Sequence, residues 1–401
     1  PALEKPITGV KARDHYILNC KLGDSGNGGI TVEADDSEKE YTYTFEVPTV
    51  ASTQLGAETP AVLWSRFAHL EGSILSKSES FVLDPSAMRF EWKKKDDANW
   101  NTLASTQEGE NYKAILTGLQ PETAYMYRLV YSKGSDQYAS DEVMFKTESA
   151  TPLPYGDMET WVADGKISYL GAVKDFWDSS NPGGATYIGS NTFGDTETVH
   201  TGGMSAQLAS KWAVLKFAAA SLYVGQFVSL VGTKGAKIDF GRPFTSRPTQ
   251  LKGWFQYKGG NINRVSGITS IPGTPVAKDD PDLWSAYIVL TNGTYRLDNT
   301  DMTGTSKDFA SILRTGKDAS GFDVIAYGVL PDAECVTSSE WKQFSIDLTY
   351  RNLVEKPTHI IIVFSSSKYG DYFVGCDSSV LYLDDLELIY GDSPKLLGSG
   401  N

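Results

Sequence analysis

The sequence predicts an all-β protein made of two consecutive β-sandwich domains, and three observations lead to this fold class. The chain has 401 residues, more than one ordinary domain of roughly 100 to 200 residues contains. Aromatic residues make up 12% of it, and glycine and proline occur throughout, a composition typical of many short strands and turns. Many segments alternate apolar and polar residues with the period of a strand. In the second half only residues 307–314 have a helical period, so a doubly wound α/β sheet is excluded.

Charge and the spacing of reactive residues exclude several functions. The formal net charge is −14, and the basic run 93–95 is followed at once by Asp96 and Asp97, so nucleic acids and anionic membrane surfaces are poor partners. No run of about 20 apolar residues exists, so no transmembrane segment is expected. Histidines and cysteines lack the spacing of a catalytic zinc site. A bridge between Cys335 and Cys376 stays open.

The first predicted domain covers residues 1–149. Two alternating segments within 112–129 flank a turn built on Gly118 and Pro121. The pattern Leu-x-Pro-x-Thr-x-Tyr that ends at Tyr125 resembles the end of a fibronectin type III domain, and the resemblance implies that the Tyr125 hydroxyl ties the corner between two strands. The segments that would supply the preceding strands are residues 7–10, 16–22, 88–95 and 100–103. We therefore expect an immunoglobulin-like or fibronectin III-like sandwich.

The match to this domain type is broken by about sixty residues, 23–80, which exceed any standard connection between strands. Within them, residues 41–47 alternate as a strand, and residues 61–75 predict a short helix. We interpret 23–80 as an insertion into the first domain. Residues 150–154 then form a short, semi-rigid linker because they contain Pro152 and Pro154.

The second predicted domain covers residues 155–391 and is a larger β jelly roll like those of carbohydrate-binding modules, followed by a frayed tail, 392–401. About a dozen segments alternate as strands between turns, among them residues 252–257, 286–291, 324–329, 341–348 and 358–365. The closing strand, 380–390, alternates so that Tyr382, Asp384 and Leu386 share one face, which we expect to line the core. A buried carboxylate such as Asp384 needs a partner.

Five segments of the second half resemble, in order, the family called the putative carbohydrate metabolism domain. They are residues 156–161, 200–206, 225–227, 241–248 and 366–373. The resemblance covers roughly residues 152–391 and implies a jelly roll preceded by an immunoglobulin-like domain, in a surface or exported protein of gut-dwelling Gram-negative bacteria. It therefore implies an extracytoplasmic location, at the cell surface or secreted, although no signal segment opens this sequence. It supplies no residue numbers for a binding site.

Carbohydrate-binding jelly rolls often hold a structural Ca²⁺ between an Asp of the closing strand and a Glu of the opening strand. The resemblance places Asp384 and Glu159 in these positions, and carboxylate oxygens suit Ca²⁺. The alternative is a buried Asp384 bonded to backbone amides or to an arginine. No other cofactor is required.

Sugar binding needs aromatic faces beside planar polar groups. The segments that offer both are turn-prone, and they predict five binding residues: Trp177, Trp284, Tyr369, Asp371 and Tyr372. Trp177 could instead anchor a loop by packing, and Asp371 and Tyr372 could have structural roles. Three further candidates have two interpretations each. Trp254 shares a strand face with Gln256, and this face is either a binding groove or part of the core. Arg242 and Arg247 either contact a ligand or fix a loop by bonding to buried carbonyl groups.

Glycoside hydrolysis uses two carboxyl groups about 5 to 10 Å apart in a cleft, and catalytic jelly rolls often carry them as closely spaced acids on one strand. No such run occurs, and no nucleophile has an evident base. We therefore expect a non-catalytic protein that binds a polysaccharide or oligosaccharide, with neighbouring surface proteins as further partners. The alternatives are a glycoside hydrolase whose acids come from distant strands, and a structural adhesin or assembly subunit without sugar affinity.

Overall fold

The structure is a computed structural model that describes residues 17–22, 30–36, 39–44, 48–56, 58–77, 81–134, 136–232, 234–271, 273, 276–298, 300, 316 and 321–398. The chain divides into two compact units. One comprises Pro1–Glu58, Phe67–Leu119 and Thr123–Thr147, and the other comprises Thr59–Arg66, Gln120–Glu122 and Glu148–Asn401. Both consist of sheets whose strands are almost all antiparallel, and the predicted all-β class is confirmed.

The first unit contains a three-stranded sheet and two larger sheets. The small sheet consists of β1 (Ile17–Leu22), β2 (Ile30–Asp36) and β3 (Lys39–Thr44). The other strands are β4 (Thr49–Ser52), β5 (Ala68–Ser76), β6 (Met88–Lys94), β7 (Asn101–Ala104), β8 (Thr106–Glu108), β9 (Asn111–Leu116), β10 (Ala124–Lys133), β11 (Asp136–Ala139) and β12 (Val143–Lys146). They form one sheet in the order β4-β5-β9-β8 and another in the order β11-β10-β6-β7, with β12 also paired to β10.

Two sequence predictions for this unit need correction. The short helix expected over 61–75 is wrong, because β5 is a strand that alternates buried and exposed residues and pairs with both β4 and β9. The segment 16–22, predicted to be a strand of the sandwich, contributes β1, which pairs with β2 in the separate small sheet. The predicted strand 7–10 lies outside the described residues. Tyr125 is buried and stacks on Phe145, while its corner bond stays a prediction.

The second unit is built around two sheets. Its strands are β13 (Trp161–Asp164), β14 (Ile167–Leu170), β15 (Trp177–Ser179), β16 (Thr192–Asp195), β17 (Ser205–Ala209), β18 (Lys211–Ala213), β19 (Lys216–Ala218), β20 (Ser221–Val231), β21 (Gly235–Phe240), β22 (Arg242–Pro243), β23 (Gln250–Lys258), β24 (Arg264–Val265), β25 (Ser285–Thr291), β26 (Tyr295–Asp298), β27 (Val324–Val329), β28 (Ser338–Asp347), β29 (Thr349–Tyr350), β30 (His359–Ser365), β31 (Val374–Gly375), β32 (Val380–Ile389) and β33 (Lys395–Leu396). Its described α-helix is α1 (Asn181–Ile188). Short 3₁₀ turns occur at Pro85–Ala87 in the first unit and at Ile268–Ser270 and Gly370–Tyr372 in the second.

The five-stranded sheet, in the order β16-β17-β32-β23-β28, packs on a ten-stranded sheet whose main path is β26-β21-β20-β30-β25-β27-β29-β33. Aromatic rings fill the space between them. Phe344 of the smaller sheet meets Phe364 of the larger at 6.0 Å between ring centroids, and Phe255 meets Trp284 at 4.6 Å. The five strand segments predicted between residues 252 and 365 are confirmed as β23, β25, β27, β28 and β30. The helical turn predicted for 307–314 lies outside the described residues.

A bulge in β32 overturns the predicted facing of the closing strand. Trp254 pairs with Asp384 and Lys252 with Glu387, so one residue of β23 is opposed by two residues of β32, and Asp385 takes φ 48°. Because a bulge shifts the alternation by one residue, Leu383 and Leu386 both point to the core, whereas Tyr382 and Asp384 point to the opposite face. In the predicted tail, β33 pairs in parallel with β29, so this part is held by the sheet.

Candidate functional site

Five side chains form a row across the outer face of the five-stranded sheet. They come one from each strand: strand register aligns Phe193, Gln207, Tyr382 and Gln256, and a hydrogen bond to the Gln256 amide places Trp341 of β28 next to them. Four of them are half-buried, and Tyr382 is 6% exposed. Since neighbouring strands lie about 4.8 Å apart, the row is roughly 19 Å long. We call it the cross-strand row.

The row combines aromatic rings with fixed amide groups. Gln207 Nε2 donates to the Tyr382 hydroxyl at 2.9 Å. In its better-bonded orientation, the Gln256 amide accepts from Trp341 Nε1 at 3.1 Å and donates to Ser339 O at 3.3 Å. These contacts fix two planar polar groups in the centre of the row, with an aromatic ring at each end. Planar amides beside aromatic faces are the groups that bind the hydroxyls and the apolar faces of sugars.

His200 adds a further ring beside the three rings of the row. Its imidazole stacks on Trp254 with ring centroids 4.0 Å apart and planes 20° from parallel, and Trp341 meets the imidazole edge-on at 5.6 Å. Its Nδ1 lies 2.6 Å from Asp385 Oδ2, and the same carboxylate accepts from Thr201 Oγ1 at 2.8 Å. The imidazole is therefore held in one orientation from two sides.

Two carboxylates hold the loop that carries His200. Asp384 is fully buried and accepts from the backbone N–H groups of His200 at 2.9 Å and Asp385 at 2.9 Å. Glu159 accepts from Gly203 N at 2.9 Å. Burial, together with the neighbouring Asp385 charge, raises the pKa of Asp384 to about 6 against the opposing effect of its amide hydrogen bonds. Asp384 and Glu159 thus position the loop from its two ends.

This arrangement bears on the predicted Ca²⁺ site at Glu159 and Asp384. The N–H groups of His200 and Thr201 bond to Asp384, and those of Gly203 and Met204 bond to Glu159. They occupy lone pairs that a cation would need, and they present the positive ends of their dipoles. Within the described ranges, no group of three or more His, Cys, Asp or Glu side chains is arranged to hold a metal. Because backbone amides hold their oxygens, Glu159 and Asp384 do not fit Ca²⁺ here, and the geometry matches the alternative, a buried Asp384 bonded to backbone amides.

Trp177 and Trp284 lie in the core, and neither ring offers a free face to a sugar. Both are 0% exposed. Trp177 stacks near Phe364 and donates from Nε1 to Pro154 O at 2.8 Å, which matches the loop-anchor alternative. Trp284 is enclosed by Phe255 and Phe344. The polar segments around these residues suggested exposure, but their indoles fill the space between the two sheets.

The predicted loop residues Tyr369, Asp371 and Tyr372 lie at a 3₁₀ turn on the other side of the sandwich. Asp371 is exposed and lines a cavity of about 550 Å³, while Tyr369 and Tyr372 are half-buried. This loop lies next to the ten-stranded sheet, whereas the cross-strand row lies on the five-stranded sheet. Their sugar-binding role stays a prediction.

The arginines pin loops. Arg247 is 2% exposed, donates from Nε to Glu148 at 2.8 Å, and lies 3.6 Å from the centroid of the Trp64 ring. Arg242 donates to Lys174 O at 2.7 Å. The two described cysteine side chains, Cys335 and Cys376, are both buried free thiols.

The sequence identified Trp254 and Gln256 as groove candidates but missed Phe193, Gln207, Tyr382 and Trp341. Their alternation could have shown which residues share a face within each strand. It could not show which strands are neighbours, because only β16 and β17 are consecutive in the sequence and the other three strands of the row are distant from them and from each other.

Comparison with known proteins gives two family matches. Residues 157–389, more than half of the chain, match the family described as putative carbohydrate metabolism domain, and the predicted resemblance over 152–391 is confirmed. Residues 2–49 match a domain of unknown function (DUF4493). No curated protein matches. In the described residues, no helix is both long enough and apolar enough to span a membrane.

Two similar solved structures are crystal structures of proteins titled putative glycoside hydrolases. The one from Bacteroides thetaiotaomicron is 19% identical and covers 79% of this chain and 99% of its own, with a TM-score of 0.44. The one from Bacteroides vulgatus is 22% identical and covers 60% of this chain and 97% of its own, with a TM-score of 0.41. At these scores the likeness carries no inference about the present chain.

Proposed function

The chain belongs to the putative carbohydrate metabolism domain family, and on that premise we propose that its second unit binds a glycan chain along the cross-strand row without cleaving it. The observation that carries the proposal is the row itself, which alternates rings and fixed amides over roughly 19 Å. A site of this length and composition suits several consecutive sugar units. An extracytoplasmic location, where polymeric glycans are met, is part of the same proposal.

Binding is favoured over hydrolysis by the state of the nearest acids. Asp384 is fully buried and its oxygens accept backbone N–H groups. Asp385 is engaged by His200 and Thr201. A glycosidase needs two carboxyl groups that face the scissile bond, and these two residues are instead placed to hold the loop at 200–204.

The test begins with a glycan microarray probed with the purified chain, with calcium and with excess chelator. For the glycan bound best, calorimetry with oligosaccharides of increasing length should show an affinity that rises until the ligand spans the row and then levels. Chelator should leave binding unchanged, because the loop is held by amide bonds. Trp341→Ala should weaken binding by roughly three- to tenfold, the size of one lost aromatic contact.

A matched control is Trp212→Ala, which removes another partly exposed indole, 38% exposed and located on β18, outside the row. It should leave affinity within error. No binding to plant, host or microbial glycans contradicts the proposal, as does a loss of binding in Trp212→Ala that Trp341→Ala does not show. Release of reducing sugar from the bound glycan would show that the protein is a glycoside hydrolase and would contradict the proposal of binding without cleavage.

A further inference from the structure

A cavity of about 550 Å³ lies on the outer face of the ten-stranded sheet. Its floor contains Tyr223, Tyr287 and Val363 from β20, β25 and β30, whose neighbours along each strand point into the core. Its walls are α1, the β18–β19 hairpin and the loop that carries Asp371. The volume is within the range of about 300 to 1,000 Å³ that is usual for small-molecule sites.

Protein acceptors already take up several hydroxyl groups of the lining. Ser180 Oγ donates to Asn191 Oδ1 at 2.7 Å, and Ser365 Oγ donates to Ser367 O at 2.8 Å. The Tyr223 hydroxyl donates to Ser179 O at 3.0 Å. Most other lining residues are glycine, alanine or larger apolar residues. Asn191 Nδ2 is a lining donor that has no partner among the described residues. One such donor cannot replace the hydrogen bonds to water that the several hydroxyls of a sugar would lose on burial, so the interior suits an apolar group.

The apolar surface continues out of the cavity. Four lining residues are between 46% and 70% exposed, although they are large and apolar: Tyr187, Val214, Leu215 and Leu230. Exposed apolar residues that cluster around a cavity mark a binding surface. A ligand with an extended aliphatic chain could cover these residues while it fills the interior.

Lys216 places a cation at this surface. Its ammonium lies 3.8 Å from the centroid of the Phe373 ring and donates to the neutral Lys234 carbonyl at 3.1 Å. In the described part of the chain no carboxylate lies within ion-pair distance of it, whereas the other lining lysine, Lys368, pairs with Asp332 at 2.5 Å. Burial lowers the pKa of Lys216, as expected for a charge that is desolvated without a counter-charge.

The lining also contains one carboxylate, Asp371, which is exposed. Water screens an exposed charge more strongly than a half-buried one. An anionic group at the mouth therefore gains more from Lys216 than it loses to Asp371.

We propose that this cavity binds a single-chain aliphatic carboxylate, with its chain in the apolar interior and its carboxylate paired with Lys216. The site lies on the opposite face of the sandwich from the cross-strand row and does not depend on glycan binding. The protein then has two ligand sites of different chemistry on one fold.

The test is calorimetry of the full chain with dodecanoate, below the concentration at which it forms micelles, and with dodecan-1-ol, which has the same chain but no charge. Dodecanoate should bind more tightly by roughly tenfold, the size of one hydrogen bond to a charged group. Lys216→Gln should abolish this preference. Lys234→Gln, which removes an exposed lysine whose side chain does not line the cavity, should preserve it.

A second variant tests the cavity. Ala236 lines it from β21, and Ala236→Phe should weaken the binding of both probes while circular dichroism shows an intact fold. Three results would overturn the proposal: no binding of dodecanoate by the folded chain, equal affinity for the acid and the alcohol, or an unchanged preference in Lys216→Gln. Binding that Ala236→Phe leaves intact would place the ligand elsewhere and overturn it too.

Discussion

Asp282 should make the second unit less stable as the pH rises through the slightly acidic range. The residue is 3% exposed, and its Oδ2 accepts from Ser367 Oγ at 2.6 Å, Cys376 N at 2.8 Å and Ser379 Oγ at 2.9 Å. Burial raises the pKa of Asp282 from 3.8 to about 6, although these hydrogen bonds oppose the shift. Between these two pKa values, the carboxyl group of Asp282 is therefore protonated in the folded state and ionised in the unfolded chain.

The sign and size of the effect follow from this difference. Below about pH 4 both states are protonated and the stability is full, and it is lost as the pH rises through the folded pKa. A shift of about 2 units corresponds to about 3 kcal/mol, at roughly 1.4 kcal/mol per unit. Because Asp384 and Asp178 also have raised pKa values, the whole protein loses more than this, and the share of Asp282 must be isolated by substitution.

Asp282→Asn isolates it. The amide oxygen can take the three donors of Oδ2, and the amide group carries no proton that titrates in this range. Urea unfolding followed by tryptophan fluorescence should show the variant gaining about 3 kcal/mol relative to the wild type between about pH 4 and about pH 8. Asp392→Asn, which removes an exposed carboxyl group, serves as the control. Stability profiles of Asp282→Asn and wild type that run parallel would refute the reasoning.

Three further outcomes are expected. Trp177→Ala should cost about 3 to 5 kcal/mol of unfolding free energy because the indole is fully buried; a stable variant with lost glycan affinity would contradict this. Arg247→Lys should cost about 3 kcal/mol or more of unfolding free energy, since a lysine cannot replace the guanidinium bonds to Glu148, Pro60 and Leu63. The control Lys356→Gln, which removes a partly exposed partner of Glu148, should cost under about 1 kcal/mol. Equal shifts in melting temperature for the two variants would contradict the role of the Arg247 guanidinium. Gly202→Ala should weaken glycan binding because its Cβ would lie 1.9 Å from Glu159 Oε1, whereas Gly165→Ala, also at positive φ but in open space, should not. Identical glycan affinities of the two variants would show that the loop at 200–204 does not contribute to the site.

The class of fold and much of the strand content could be predicted from local sequence patterns. The segments predicted around 252–257 and 286–291 became β23 and β25 because alternation with period two is a local property that the pleated backbone imposes. The family also followed from short segments in order. These features need no knowledge of which strands are neighbours.

Exposure was harder to predict than strand content. Trp177 lies in a polar, turn-prone stretch, 175–182, yet its ring is buried in the core and stacks on the ring of Phe364. Local composition reports the average environment of a segment, whereas the burial of one side chain depends on what packs over it. The predicted Ca²⁺ pair failed to fit for the same reason, since the amides of residues 200–204 reach Asp384 and Glu159 from another part of the chain.

Where the candidate residues of the row meet depends on long-range strand pairing. Gln207 and Tyr382 are 175 residues apart and become neighbours through the register of β17 with β32. A single bulge at Asp385 then turns Tyr382 and Asp384 away from the core that the uninterrupted alternation predicted. The sequence carries the chemistry of each strand, but strand order and register are set by long-range pairing and by the packing of two sheets. A shift of one residue moves a side chain from the core to the outer face of the sheet.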